Sequence, residues 1–325
     1  MGQRVDPIIL DAINNLGAED FRPALAYHFK VGGKRMRAAM VMLSCGASGG
    51  RIEDSLRPAA VVEMIHNYSL VMDDIIDRGD VRRGKPTVRS RFGNSISLLV
   101  AMLYREILDD MIQEGPRKHV IRRIAVEAMK EIIEGEKLDL QFEQARRDEP
   151  FLIKQRIRRP SFELYLKMIG KKTAALFRAA GEIGAHSAGG DASAVGALSS
   201  FGWNAGLAFQ VMDDVLDICS TQTGKQQGKD IIEHKLGNAV ILTAIEYLTL
   251  QDKDQILKIL ASPHVSLRQV AVARRLILKT PAESDCREVA KKYLQIAKGH
   301  LSGLTSTQHS IALAELGDEM VSRNF

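Results

Sequence analysis

A chain of 325 residues exceeds the usual single-domain size yet can still form one large domain, and at 45% hydrophobic residues it has ample material for a core. Aromatics at 5% and only 9 prolines favour long uninterrupted helices over short strands and turns. The net charge of +5 is mild and suits small anionic substrates, and no dense Lys/Arg tract with interleaved aromatics points to nucleic acid.

Pro7 to Tyr27 reads as an amphipathic helix, broken at Gly32-Gly33. Gly33-Lys34-Arg35-Met36-Arg37 then opens a second helix that runs apolar through Met40-Val41-Met42-Leu43. Cations at a helix N-terminus oppose the macrodipole unless an anion is bound there, although a lone KRxR is more often a solvated basic turn. Gly46 to Gly50 reads as a loop, and Ser55 to Asp77 as a helix ending in Val71-Met72-Asp73-Asp74-Ile75-Ile76-Asp77. At about 100° per residue Asp73 and Asp77 share a face, with Asp74 on the adjoining flank. Like charges crowded in this way repel. Hard divalent cations remove that repulsion, and Mg²⁺ held by a few carboxylates usually takes substrate phosphates as well. The following loop, Gly79 to Pro86, brings Arg82 and Arg83, whose forks suit phosphate oxygens. A single DDxxD is still a solvated helix face about as often as a site. His66 lies two turns before Asp73 on the same face and so points towards the same place.

Ser95 to Ile112 and Val120 to Arg147 are both read as helical. The second carries Glu134-Gly135-Glu136-Lys137-Leu138-Asp139-Leu140. Gly135 there costs roughly 1 kcal/mol relative to Ala, which fits close helix packing, while the flanking acids read equally well as surface. Ser161 to Gly184 holds Lys171-Lys172-Thr173 among small residues. Ala194 to Asp217 ends in Gln210-Val211-Met212-Asp213-Asp214-Val215-Leu216-Asp217, the same acidic spacing again behind an apolar stretch. A basic segment with glycines follows, Gly224-Lys225-Gln226-Gln227-Gly228-Lys229-Asp230, and then Lys235. The repetition decides between the readings. Two carboxylate triads, each with its own cations downstream, suit several metal ions and a polyanion such as a diphosphate. The remainder alternates helical patches with short polar loops. With no strand-period segment, short solenoid repeat or low-complexity linker, the expectation is an all-α single domain over 1–325. Cys45, Cys219 and Cys286 lack CxxC spacing and read as reduced thiols. The first residues lack a signal peptide's apolar core and no uncharged run reaches transmembrane length, so a cytoplasmic protein is expected.

The set Gly32 to Arg37 (GGKRMR), Glu63 to Asp77 (EMIHNYSLVMDDIID), Arg82 to Thr87 (RRGKPT), Lys172-Thr173, Phe209 to Asp217 (FQVMDDVLD), Gly224 to Asp230 and Lys235 resembles the trans-prenyltransferases. These are the short-chain isoprenyl diphosphate synthases of the farnesyl and geranylgeranyl type. The motifs stand in the family's order over roughly residues 30 to 240. The resemblance implies an isoprenoid synthase fold, with helices around a deep apolar cavity and both aspartate motifs at its mouth, and a homodimer.

It also implies a mechanism. Mg²⁺, three ions per active site, would be held by the metal-binding aspartates of the two motifs, Asp73, Asp74 and Asp77 in the first and Asp213, Asp214 and Asp217 in the second, with Asp213 the principal ligand of the second. Arg82, Lys172 and Lys225 would take up charge on the leaving diphosphate of a dimethylallyl, geranyl or farnesyl primer. Lys34, Arg37, His66 and Arg83 match the isopentenyl diphosphate site, and Lys235 the last of the substrate-binding cations. Gln210 and Thr173 match residues near the reacting carbons. Tyr68 and the small Ser69, five and four residues before the first aspartate, resemble the chain-length positions of archaeal-type geranylgeranyl diphosphate synthases. The expected product is C20, with C15 next; Tyr68 as ordinary core packing stays open. Departures from the family pattern are Ala38, Ala101-Met102, Gly135-Glu136 and Gly237-Asn238-Ala239. A weakly active regulatory subunit of a heteromeric synthase, or a terpene cyclase, remains as an alternative. The two intact triads and seven cation positions favour an active elongating enzyme.

Overall fold

The computed structural model describes residues 1–145, 147–220, 227–304 and 307–322. The chain is all-α. Its helices are α1 (Asp6–Leu16), α2 (Arg22–Lys30), α3 (Met36–Ala47), α4 (Leu56–Ile76), α5 (Val88–Phe92), α6 (Asn94–Gln113), α7 (Lys118–Phe142), α8 (Pro150–Gln155) and α9 (Phe162–Ile169). After a π-helical turn at Gly170–Ala174 follow α10 (Ala175–Ala188), α11 (Ala192–Cys219), α12 (Lys229–Ile232), α13 (Ala239–Tyr247), α14 (Leu250–Leu260), α15 (Leu267–Ile277), α16 (Ala282–Leu301) and α17 (Gln308–Val321). Two compact units result. One gathers Met1–Ile132, Ala175–Trp203 and Lys298–Leu316, and the other Ile133–Ala174, Asn204–Ala297 and the chain from Gly317. Among the described residues no helix is long and apolar enough to cross a membrane. The three cysteines are buried and free.

In the first unit, α4 is the central element. Its Val61, Val62, Met64, Ile65 and Val71 are buried, and α3, α6 and α10 pack around it. The backbones of α3 and α10 come so close that a Cβ on Gly184 would lie 2.3 Å from the Val41 carbonyl oxygen. The expected single helix from Pro7 to Tyr27 is two. Gly17 turns extended after α1, its amide bonds back to Ile13 O at 2.9 Å, and α2 restarts with Pro23 in its first turn. The expected loop at Gly79 to Pro86 folds into a short hairpin, β1 (Val81–Arg82) against β2 (Lys85–Pro86), antiparallel with Arg82 opposite Lys85. Its two-residue turn, Arg83-Gly84, has φ of 54° and 71°, the mirror-image turn that matches strand twist. Tyr27 Oη anchors the hairpin by donating to Pro86 O at 2.8 Å.

The second unit is built on the end of α7, on α9 and on the later part of α11, with α12 to α15 packed beyond. Phe142, Tyr165, Ile169, Val211, Val215 and Ile241 are among its buried side chains. The helix expected from Val120 to Arg147 stops at Phe142, and the one expected from Ser161 to Gly184 is interrupted by the π-turn. That turn packs flush on α7, where a Cβ on Gly135 would meet Lys172 N at 2.3 Å and its Cα at 2.6 Å. Gly135 is thus a packing residue, and the helix-propensity penalty it carries is the condition for that approach.

Candidate active site

In the first unit the end of α4 presents Asp73 half-buried, with Asp74 and Asp77 each only 4% exposed. The hairpin lays Arg82 across two of them. Its Nη2 is 2.8 Å from Asp73 Oδ2, and its Nε donates to Asp74 Oδ1 and Oδ2 at 3.0 and 3.2 Å. Burial works against the charge on Arg82, but the two aspartates outweigh it and raise its proton affinity.

The basic segment before α3 divides its cations between two jobs. Arg35 takes the left-handed conformation at φ 50° and turns inward. It donates to Asp6 Oδ1 at 2.8 Å and Phe29 O at 3.1 Å, and pairs with the buried Glu63 at 3.4 Å. It holds the chain's own structure. Lys34 is exposed. Arg37 lies over the Phe177 ring, 4.2 Å from its centroid, and its Nη1 is 3.2 Å from His66 Nε2. A guanidinium only donates, so Nε2 accepts and the neutral ring carries its proton on Nδ1. Burial, then Arg37 and Arg83, hold His66 well below its ordinary value, in keeping with that neutral form. Arg83 donates to Gly32 O, and its movable Nη1 would stand 2.8 Å from a Cβ on Gly33, whose φ of 152° itself favours glycine. Tyr68 and Ser69 are half-buried, and Ser69 Oγ donates to His66 O at 2.8 Å.

The second unit assembles differently. Thr173 Oγ1 donates to Gln210 Oε1 at 2.8 Å, and Gln210 Nε2 donates to Asp214 Oδ1 at 3.0 Å. Asp214 Oδ2 accepts from Tyr165 Oη and from the Ala239 amide, both at 2.8 Å. Asp214 is 5% exposed, whereas Asp213 is exposed at the helix surface. Asp217 accepts from the amides of Lys229 at 2.9 Å and Asp230 at 3.1 Å, which open α12. Burial, and next the charge of Asp230, push Asp217 up to about 8 and Asp214 well above the carboxylate range. Asn238, which follows Gly237 where the family has threonine-proline, caps α13 through Val240 and Ile241 and donates to Asp230 Oδ2 at 2.8 Å.

Lys172, held by the π-turn, places Nζ 2.6 Å from both Glu136 Oε2 and Asp139 Oδ2. Lys235 reaches the same Asp139 oxygen at 3.1 Å and Glu233 at 3.2 Å. Burial alone would raise Asp139, but the two lysines prevail and hold it at about 2. Lys225 lies outside the described residues.

Several contributors escaped the sequence reading: Arg35 with Glu63, Tyr165, Asp139 and His28. Asp139 had a signal, since Gly135, Glu136 and Asp139 share one helix face three and four residues apart. His28 had none. It is 4% exposed, its Nε2 meets no partner, and burial followed by Arg82, Arg83 and Arg35 drives it down to about 3. Met102, which replaces an acid of the family pattern, stands 58% exposed on α6, and Ala101 is buried.

Among the described residues no three or more His, Cys, Asp or Glu side chains are gathered closely enough to hold an ion by themselves. The available donors are carboxylate oxygens, hard ligands of the kind Mg²⁺ takes when substrate phosphates complete its shell. The residues therefore fit ions shared with a diphosphate.

The polyprenyl synthetase model matches residues 18–277. The chain belongs to the polyprenyl synthetase family. A short chain isoprenyl diphosphate synthase of Methanothermobacter thermautotrophicus is 32% identical over 99% of this chain and 96% of its own length. The crystal structure of geranylgeranyl pyrophosphate synthetase from Pyrococcus horikoshii superposes with a TM-score of 0.87 at 31% identity, covering 99% of this chain and 96% of that one. A Caulobacter crescentus polyprenyl synthase complexed with calcium and isoprenyl diphosphate gives 0.86 at 30% identity, covering 99% and 98%. Membership of the polyprenyl synthetase family makes the chain a prenyltransferase with the isoprenoid synthase fold.

Proposed function

We propose that this polyprenyl synthetase condenses isopentenyl diphosphate with a dimethylallyl, geranyl or farnesyl diphosphate, making geranylgeranyl diphosphate (C20) or, next, farnesyl diphosphate (C15). The observation that carries the reading is the pair of aspartate motifs, the first bridged by Arg82 and the second linked through Gln210 and Thr173 to the turn that carries Lys172. Asp73, Asp74, Asp77 and Asp213 are the residues that would hold Mg²⁺, three ions in all, with Asp214 and Asp217 shaping the second motif from behind. When bound, Mg²⁺ supplies Lewis-acid charge against the leaving diphosphate. Arg82, Lys172 and Lys225 stabilise the same developing charge, while Lys34, Arg37, His66 and Arg83 take the isopentenyl diphosphate and Lys235 supports Lys172 through Asp139. Breaking the allylic C–O bond leaves a carbocation beside the dipoles of Thr173 and Gln210. The isopentenyl double bond forms the new C–C bond, and loss of a proton restores neutrality.

The reading takes residues 1–325 as one synthase domain acting as a homodimer. The exposed apolar stripe Leu98, Leu99 and Met102 on α6 supports a second copy, since it offers a face that water covers poorly. Chain length is assigned to Tyr68 and Ser69. The test is a product assay with isopentenyl diphosphate, Mg²⁺ and each primer in turn, read by mass spectrometry. A C20 product that lengthens in Tyr68→Ala supports the assignment. No turnover with any primer would sink it.

A further inference from the structure

Six side chains of the second unit alternate in charge along one line: Glu136, Lys172, Asp139, Lys235, Glu233 and Lys229. Their division of labour is unequal. Asp139 is the buried anchor at 6% exposed and is shared by two lysines. Glu136, at 16%, adds a second carboxylate to a lysine that Asp139 already neutralises. An ammonium has three N–H bonds. Carboxylate oxygens of Glu136 and Asp139 both lie 2.6 Å from Nζ, so a diphosphate oxygen arriving at Lys172 meets an ammonium with two carboxylates behind it. The Lys172 side chain is 24% exposed, which leaves that approach open.

Resting on the reading above, we propose that Glu136 is a positioning residue that sets how strongly Lys172 grips a diphosphate, loosening its hold on pyrophosphate so that the leaving group departs. Asp139 fixes where the amine sits, and Glu136 fixes how much of its charge is left for substrate. A like charge close behind a cation opposes an incoming anion in the ground state and in the product complex alike.

Glu136→Gln keeps an acceptor of the same shape for Lys172 and removes the charge. The expected result is about tenfold tighter binding of inorganic pyrophosphate with Mg²⁺, read by calorimetry on the full chain, and a comparable fall in KM for the allylic diphosphate. The maximal rate falls as release slows. A purely structural role would give weaker binding and a higher KM. Glu134→Gln serves as control, because it removes the same charge from the same helix but from the partner of Lys171. It should leave both quantities unchanged. Glu136→Asp, which retains the charge, should stay within about twofold of the parent. Pyrophosphate binding that is equal or weaker in Glu136→Gln overturns the inference. An unmutated chain that shows no Mg²⁺-dependent pyrophosphate binding instead overturns the proposed function, so the two failures are told apart.

Discussion

The two aspartate motifs have the same spacing and opposite surroundings. In the first, an arginine eight residues downstream returns on a hairpin to bridge Asp73 and Asp74. A counter-ion is built in there, and the histidines of the same unit, buried His28 and half-buried His66, are driven towards their neutral forms. In the second, Asp214 and Asp217 are held by a phenol, an amide side chain and three backbone amides, all of them neutral. Negative charge is in excess, and burial with Asp230 pushes the carboxylates upward. One motif comes with its counter-ions attached; the other is braced by hydrogen bonds and keeps its demand for positive charge. Identical spacing therefore specifies where carboxylates stand but not what neutralises them.

The sharpest test of that contrast is acid. His28 falls from its ordinary 6.5 to about 3, so the unfolded chain takes up a proton that the folded chain refuses. Stability is then lost as pH falls through 6.5 and levels off below about 3, by at most about 5 kcal/mol at 1.36 kcal/mol per factor of ten in proton affinity. Urea titrations from pH 7 to 4 should show a shallower decline in His28→Gln than in the parent; equal slopes would mean that neither burial nor the arginines hold His28 neutral.

Next come the aspartates themselves. Asp73→Asn, losing a half-buried charge paired to Arg82, should lower kcat/KM about 10³-fold, or roughly 4 kcal/mol, with little change in Tm. Asp214→Asn faces three donors with only one oxygen. It should reduce stability by about 1–3 kcal/mol, seen as a lower melting temperature, because a donor of Tyr165, Gln210 or Ala239 is left opposite an NH₂ group. If both variants behaved alike, the distinction between the motifs would fail.

The smallest effect concerns glycine. Gly135→Ala gains about 1 kcal/mol of helix propensity but drives a Cβ into the Lys172 backbone, so a net loss of about 1–2 kcal/mol is expected together with reduced turnover. Gly196 in α11 faces open space. Its alanine variant should gain up to about 1 kcal/mol and leave activity alone, a pair of outcomes that thermal melts and a single rate assay resolve.

Much of this was legible because it is periodic or local. The helix carrying Asp73 and Asp77 was readable from its apolar run, and the second triad from its repetition of the first. Arg37 and His66 were expected in one place and do meet. What the chain concealed is non-local. The break at Gly17 depends on Leu25 closing over it, where a Cβ would stand 2.6 Å from the leucine. The Arg83-Gly84 turn lacks the asparagine or aspartate that usually announces such a hairpin. Asp214 and Asp213 are adjacent letters in the motif, and only the arrival of Tyr165 and Ala239 from elsewhere separates their fates. Asn238 shows the reverse: a departure from the family pattern that supplies its own helix cap, a role asparagine fills well.

The π-turn at Gly170–Ala174 contains one residue more than a continuous α-helix would need to cover the same rise. In genetic terms it is a surplus codon. Loss of the Gly170 or Lys171 codon would let the backbone heal into ordinary α-helix. Lys172 and Thr173, however, would be turned by about 100° from Asp139 and Gln210. A single in-frame deletion would thus leave a scaffold that folds with its lysine and threonine facing elsewhere, a descent from enzyme to inert relative that leaves every aspartate in place.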